Sequence, residues 1–457
     1  MTTSFSWQRR LGGVFVASAF ALALSACGGG GNPTPTPTPT DTTSSTPAAL
    51  SGSLTVWHFW SDREAAAFQA AIDAFTTANP GVTVTVVDSQ DDDTMRTAIG
   101  SGEAIDIGLS YSMDQIGQYC STGAFIDLAP YIQRDKIDLN QMPKVAQDYT
   151  QYNGTRCALP MMADVTGLYY NKDLLAAKGI QPPKTMAELA DAAVALTTYN
   201  KDGSIKQLGF MPLIGDAYYE ATPGNFAVMT QAKWLNADGT KSAIASDPGW
   251  TEMLTWQKDL IQRLGGYKKL AAWAAAQGDE WSTENDFQTG RLAMNIDGEW
   301  RAAFIADPDA GNPNLNYGIV PIPVSDKVAA TYGAGHIDGN LMGIPKTSKN
   351  PDLAWELMKY MALNTDVQVT FANAINNIPT IQSALSSPDL KKDGDYQVLV
   401  DAFTNPNSLV TPACSVGTGY QDLFGTWVQD WEQGKITDLA KGLADIDTQI
   451  NDLLAKK

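Results

Sequence analysis

Histidine is almost missing from this chain: among 457 residues there are only His58 and His336. That leaves little material for a His-based triad, and neither histidine stands in a readable Ser/Asp pattern. The four cysteines form no CxxC and no Cys/His cluster at zinc spacing. Basic residues are scarce: 31 Lys and Arg face 50 Asp and Glu, a formal net charge of −19, with a pI near 4.4. This excess weighs against nucleic-acid binding and against adhesion to an anionic membrane. After Gly52 no apolar stretch is long enough to span a bilayer. There is no GxSxG elbow, no HExxH and no P-loop. Carboxylates are plentiful, yet no short motif singles out a glycosidase pair. Asp91-Asp92-Asp93 fits no EF-hand spacing and reads as a solvated loop. Neither a metal nor a cofactor is expected.

What is there begins at the N-terminus. Arg9 and Arg10 precede an apolar run from Val14 to Leu24, which ends in Leu24-Ser25-Ala26-Cys27. A basic start, a short apolar core and small residues at a cut site make an export signal. Leu-Ser-Ala-Cys resembles the lipobox of bacterial lipoproteins, which implies lipid on Cys27; the alternative is an ordinary signal with a chance cysteine. Four glycines follow, Gly28 to Gly31, and then a Pro/Thr alternation from Pro33 to Thr40. Such a segment cannot bury a core. In polyproline II it reaches about 3.1 Å per residue, so the whole linker spans roughly 60–70 Å. An O-glycosylated stalk would give the same spacing. The expected location is therefore outside the cell, anchored by lipid to the outer face of the membrane.

With Cys27 lipidated, Cys120, Cys157 and Cys414 remain. Cys120–Cys157 is the expected bridge, closing a loop worth roughly 3–4 kcal/mol in the chain-entropy model. Spacing alone leaves the other pairings open.

The body alternates strands and helices. Leu54 to Trp60 reads as a strand, Arg63 to Ala78 as a helix capped by Ser61 or Asp62, and Val82 to Val87 as a second strand. A helix over 95–101 and a strand over 105–109 follow. Further strands are expected at 168–170, 208–212, 293–296, 317–321 and 341–345. Helices are expected at 174–178, 186–199, 250–264, 281–289, 352–363 and through most of 420–456. This rhythm predicts an α/β fold with a largely parallel sheet, with ligands held by loops beyond the strand ends.

Aromatics collect in the predicted loops: Trp60, Tyr111, Tyr218, Tyr219, Trp234, Trp281, Trp300 and Tyr420. Rings beside Asp, Glu and Asn suit sugars, whose C–H faces stack and whose hydroxyls need planar polar partners.

Several blocks in order carry a family likeness. They are Leu54-Thr-Val-Trp-His through Pro80-Gly81-Val82, Gly102-Glu-Ala-Ile-Asp106-Ile, and Gly123-Ala-Phe-Ile-Asp-Leu-Ala-Pro-Tyr131. Leu168-Tyr-Tyr-Asn-Lys-Asp-Leu174 with Pro182-Pro183-Lys-Thr, Phe287-Gln-Thr-Gly290-Arg-Leu-Ala-Met294 with Gly298-Glu-Trp300, and Gly343-Ile-Pro-Lys-Thr-Ser-Lys349 complete the series. Together they resemble the extracellular solute-binding proteins of ABC transporters, in the carbohydrate branch that includes maltose-binding protein. The likeness implies a periplasmic-binding-protein-like (type II) α/β fold: two lobes, hinge crossings near 162–165, 318–323 and 363–366, and a ligand cleft between the lobes. It places the signal at 1–27, the linker at 28–52, lobe 1 at 53–163 and 322–364, and lobe 2 at 164–321 and 365–457.

The likeness also implies the site. Asp164 would accept hydroxyl hydrogen bonds and Trp300 would stack. Tyr111 and Asp114 follow the third strand; Tyr218 and Glu220 follow the 208–212 strand. His58, Trp60 and Asp62 follow the first strand, and His336 and Asp338 lie in a glycine-rich loop. Tyr420 and Gln421 open a late helix, and Trp281 joins as a loop-borne ring. Ala104-Ile105 before Asp106, and Tyr111 where a tryptophan is usual, argue against long maltodextrins. The implied partners are a sugar and the membrane subunits of an ABC permease, the implied activity is binding without chemistry, and a monomer is expected. A secreted hydrolase or lyase, or the same fold binding a polyamine, an amino acid or iron, are the competing readings.

Overall fold

The computed structural model describes residues 49–456 apart from 216, 217, 238 and 393. The expected signal, Cys27 and the linker as far as residue 48 lie outside the described residues. Strand β1 (Ser51–Trp57) pairs in parallel with β2 (Gly81–Val87), in register from Ser51↔Gly81 to Trp57↔Val87. The helix Asp62–Ala78 connects them and buries Phe68, Ile72 and Phe75, which recur at helical spacing on one face. β1 stops three residues short of the expected end. His58 N instead donates to Val87 O, and Gln90 N to His58 O, so the chain curls over the end of β2.

Five more strands used below are β3 (Ile107–Ser110), β4 (Leu159–Asn171), β5 (Ile205–Phe210), β6 (Leu292–Gly298) and β7 (Tyr317–Val320). With β8 (His336–Gly343) they make one sheet in the order β2-β1-β3-β8-β4-β6-β5, while β7 pairs β4 off this path. β4 is its spine. Its first half pairs antiparallel with β8, from Leu159↔Met342 to Val165↔Ile337. Its second half pairs with β6, from Thr166↔Gly298 to Tyr170↔Met294. The change of partner falls between Val165 and Thr166.

Two hydrophobic cores lie along this sheet. The first packs β1, β3, β8 and the start of β4 under the helices Asp62–Ala78, Pro351–Leu363, Thr365–Ile375 and Gly394–Thr404. The second packs β5 and β6 against the helices Met186–Leu196, Pro248–Arg263, Gly419–Glu432 and Leu439–Leu454. A full capping box starts the helix Met186–Leu196: Thr185 accepts from Glu188 N, and Glu188 reaches back to Thr185 N.

Several expectations need correction. The helix begun at Met186 ends at Leu196, because Thr198–Tyr199 turn into a short strand beside β5. Residues 281–289 form turns instead of a helix, with Asn285 Oδ1 taking Phe287 N and Gln288 N. Asp91–Asp93 is no solvated loop: Asp91 caps the helix Asp92–Ser101, and Asp92 is buried, accepting from Tyr119 Oη. The crossing expected at 363–366 is absent. Asn364 caps the helix Thr365–Ile375, and residues from Val369 to Phe403 pack into the first core. The chain enters the second core only beyond Phe403, where Cys414 is buried. Leu409–Val410, between them, pair with His336–Ile337. Cys120 and Cys157 are bonded, with Cα atoms 5.5 Å apart, and Cys414 is a buried free thiol.

Candidate functional site

A cleft of about 440 Å³ opens where β4 changes partner. Its floor comes from alternate residues of two adjacent strands. His336, Asp338 and Asn340 lie two apart on β8, and Asp164 and Thr166 two apart on β4, so each set presents one face of its strand. Asp164 and Asp338 stand directly opposite one another in the ladder. Like charges in that position repel. Desolvation and the Asp338 charge push Asp164 up to about 7. Asp338 is also raised by burial, although Met113 N (2.9 Å), Gly339 N (2.8 Å) and Ser112 Oγ (3.2 Å) donate to it.

Asp164 is held from two sides. Asn340 Nδ2 donates to its Oδ2 at 3.1 Å, and Asn377 Nδ2 donates to its Oδ1. Asn377 arrives beside the two-residue strand Ile378–Pro379, which pairs with Met162–Ala163. Asp114 sits in the short turn after β3, where Ser112 Oγ accepts from its backbone N–H at 3.2 Å. Gln421, at the start of the helix Gly419–Glu432, donates to Asp114 Oδ2 at 2.8 Å. This bond joins the two sides of the cleft. Asp114 Oδ1 is buried and has no partner among the described residues. Desolvation and the Asp338 charge raise this carboxyl well above its usual range.

Glu220 and Thr222 come from the loop before the short helix Pro223–Ala227. Thr222 caps that helix, and Asn225 ties it to the floor by accepting from Thr166 Oγ1 at 2.8 Å. Desolvation, with the nearby Asp297 and Glu280 charges, pushes Glu220 up to about 8. Glu64, in the first turn of the helix Asp62–Ala78, is pushed to about 7 by desolvation, against the pull of Arg63.

Rings form the walls. Trp300 follows the end of β6 and lies against Gly298, where an added Cβ would stand 2.1–2.5 Å from its ring. Only glycine permits that approach. The Trp300 indole N–H has no partner among the described residues. Trp281 is half exposed and is backed by the Arg301 guanidinium, 5.1 Å from the ring centroid. Arg301 is itself fully buried, paired with Asp297 at 2.7 Å and Glu280 at 3.1 Å. Phe59, Trp60, Trp234 and Tyr111 complete the lining.

Ten of the expected residues thus meet in one cleft: Asp164, Trp300, Tyr111, Asp114, Trp60, Glu220, Trp281, His336, Asp338 and Gln421. Four lie elsewhere. His58 is fully buried against Phe68 and Trp60, and burial lowers its pKa to about 4. Asp62 is exposed at the helix start and accepts from Ser61 Oγ. Tyr218 turns away to donate to Asp286 and packs on Trp273. Tyr420 is buried edge-on to Trp234 and donates to Pro412 O at 2.8 Å. Thr166 and Asn340 were missed, although counting two residues along each strand from Asp164 and Asp338 finds them. Asn225, Asn377 and Glu64 reach the cleft through tertiary packing and carry no local signal. Among the described residues no group of three or more His, Cys, Asp or Glu is placed to hold a metal.

Comparison with known proteins agrees with this architecture. Residues 70–398 match the family described as bacterial extracellular solute-binding protein. The chain is 24% identical over 372 residues to the maltotriose-binding protein of Pyrococcus abyssi, covering 78% of this chain and 74% of that one. It is 25% identical over 405 residues to the galactooligosaccharide-binding protein of Bacillus subtilis, covering 83% and 88%. Among solved structures, CpMnBP1 with mannotriose bound superposes with a TM-score of 0.77 at 24% identity, over 87% of this chain and 99% of that one. A solute-binding protein from Thermotoga lettingae with α-D-tagatose bound gives 0.73 at 22% identity, over 89% and 100%. With its α/β fold, its cleft at the strand switch and a family match over most of its length, the chain belongs to the bacterial extracellular solute-binding proteins, which bind their solutes without transforming them.

Proposed function

We propose that this protein captures a sugar of one to a few residues outside the cell and delivers it to an ABC importer. The observation that carries this is the cleft itself: six aromatic side chains wall a floor of carboxylates and amides. Rings take the C–H faces of a pyranose, and planar oxygens and amides take its hydroxyls. A cleft of about 440 Å³ is within the usual range for small-ligand sites. The maltotriose, galactooligosaccharide, mannotriose and tagatose of the relatives point to the same ligand class. In this reading the two cores are lobes that close on the sugar, and the closed form binds it better. Lipid on Cys27 holds the protein at the outer face of the membrane, and the lobes dock on a permease as a monomer.

The test is thermal-shift screening of residues 49–457, which form a compact unit, against sugars, amino acids and polyamines. A sugar that raises Tm in proportion to its concentration supports the reading. A response confined to amino acids or polyamines overturns it.

A further inference from the structure

The groove between the two cores does not end at Tyr111. That residue lines the aromatic cleft and also a second pocket of about 350 Å³. Both cores wall the second pocket. Asp93 and Arg96 come from the helix Asp92–Ser101, with Gln115 and Gln118 a few residues beyond Tyr111; Thr418 and Asp422 come from the start of the helix Gly419–Glu432. Gly417 packs so closely on Gln115 and Gln118 that an added Cβ would stand 2.9 Å from each amide oxygen. Asp114 and Gln421, bonded to one another, line the cleft, and their sequence neighbours Gln115 and Asp422 line the second pocket. The two hollows are therefore consecutive stretches of one groove, with Tyr111 at the junction. The Tyr111 hydroxyl feels both: burial, Asp92 of the second pocket and Asp338 of the cleft push it up to about 12.

The chemistry changes along the groove. Rings wall the first stretch. In the second, Tyr111 is the one ring among the described residues, and the other side chains are polar apart from Val416. Arg96 is held in place there, donating to Gln115 Oε1 at 2.9 Å and paired with Asp93. Such a surface supplies donors and acceptors for hydroxyls on a ring edge. Tyr111 is 47% exposed and leans edge-on against Phe59, 6.1 Å between centroids, so its ring is braced yet uncovered.

We propose that the solute is a short oligosaccharide of two or three residues, with one residue in the aromatic cleft and the next crossing Tyr111 so that its hydroxyls meet Arg96, Asp93 and Asp422. This rests on the sugar reading above and adds a lower limit on length. A single pyranose fills the aromatic cleft and leaves the second pocket to water. A glycosidic link delivers the next residue without a second loss of translational freedom, so its contacts go into affinity.

Isothermal titration of the purified protein tests this with three ladders: mannose, mannobiose and mannotriose; glucose, maltose and maltotriose; galactose, galactobiose and galactotriose. In at least one ladder a di- or trisaccharide is expected to bind tenfold or more tightly than its monosaccharide. Thr418→Trp, which fills the second pocket, brings that ratio toward one, and Arg96→Met lowers it threefold or more. Both variants keep monosaccharide affinity within twofold, and should Thr418→Trp fail to fold, Arg96→Met carries the test. A monosaccharide that binds as tightly as its longer partners, or a ratio that neither variant changes, overturns the proposal and leaves the sugar reading standing. Absence of binding in all three ladders overturns the proposal, and overturns the sugar reading with it where amino acids or polyamines raise Tm instead.

Discussion

Trp300 and Gly298 act as a pair. The indole lies where a Cβ on residue 298 would stand, so the ring can be removed in two ways. Trp300→Ala deletes it and is expected to weaken binding of the cognate solute by about 2 kcal/mol or more, as for a buried aromatic contact. Gly298→Ala keeps the ring but displaces it, and a comparable loss is expected. Calorimetric titration checks both, and unchanged affinity in either variant removes Trp300 from the site. His58 is the opposite case. Its ring is fully buried and both nitrogens lack partners among the described residues. Each unsatisfied buried group costs about 1–3 kcal/mol. His58→Leu should therefore hold or raise Tm and leave affinity within twofold; a large loss of affinity would return His58 to the cleft. The two residues also mark how far single positions can be read in the sequence. Trp300 and Asp164 stand beside recognisable blocks. His58 sits equally close to a strand end, but the chain curls there and the side chain turns inward to meet Phe68. Loop membership is legible from composition; the direction of a side chain in a loop is set by packing from distant segments.

Among the elements, β4 shows why legibility varies. Only 168–170 stood out as a strand, yet the element runs over 13 residues. Pro160, Asp164, Thr166 and Gly167 break its apolar run, and burial on both faces removes any alternation. The disulfide belongs to this scale too. It links the helix Ile116–Ser121 to the segment entering β4, across 37 residues of chain. Replacing both cysteines by serine should lower stability by about 3–4 kcal/mol in the chain-entropy model. Denaturant titration measures this, with the midpoint moving and the slope constant. A loss under 1 kcal/mol would mean that the reduced unfolded chain is already compact there.

Across the whole molecule, acidity and burial combine into a pH response. Glu64, Asp164 and Glu280 are raised to about 7, Glu220 to about 8 and Asp92 to about 6. Above about pH 4.5 the unfolded chain has released these protons while the folded protein still holds them. Folding therefore takes up protons, and stability falls as pH rises from about 4.5 up to the folded-state values of about 6 to 8. His58 and His336, lowered to about 4, act in the other direction below pH 6.5, but they are two groups against five. Asp135, held below the usual carboxylate range by Arg134 and Lys359, contributes throughout this window. Tm without ligand is expected to be higher at pH 5.5 than at pH 8, by differential scanning calorimetry. A flat or rising profile would show that the cleft carboxylates are hydrated.

The partner change at Val165–Thr166 makes β4 a fulcrum. In the closure proposed above, one core turns against the other about this strand, which is hydrogen-bonded to β8 before the change and to β6 after it. Displacement grows with distance from a pivot. In that closure Asp164, one residue from the change, is expected to move least, while half-exposed Tyr111 and Trp281 close like the tips of tweezers. On the proposed closure the polar floor stands in place before a solute arrives, and the grip is left to the rings.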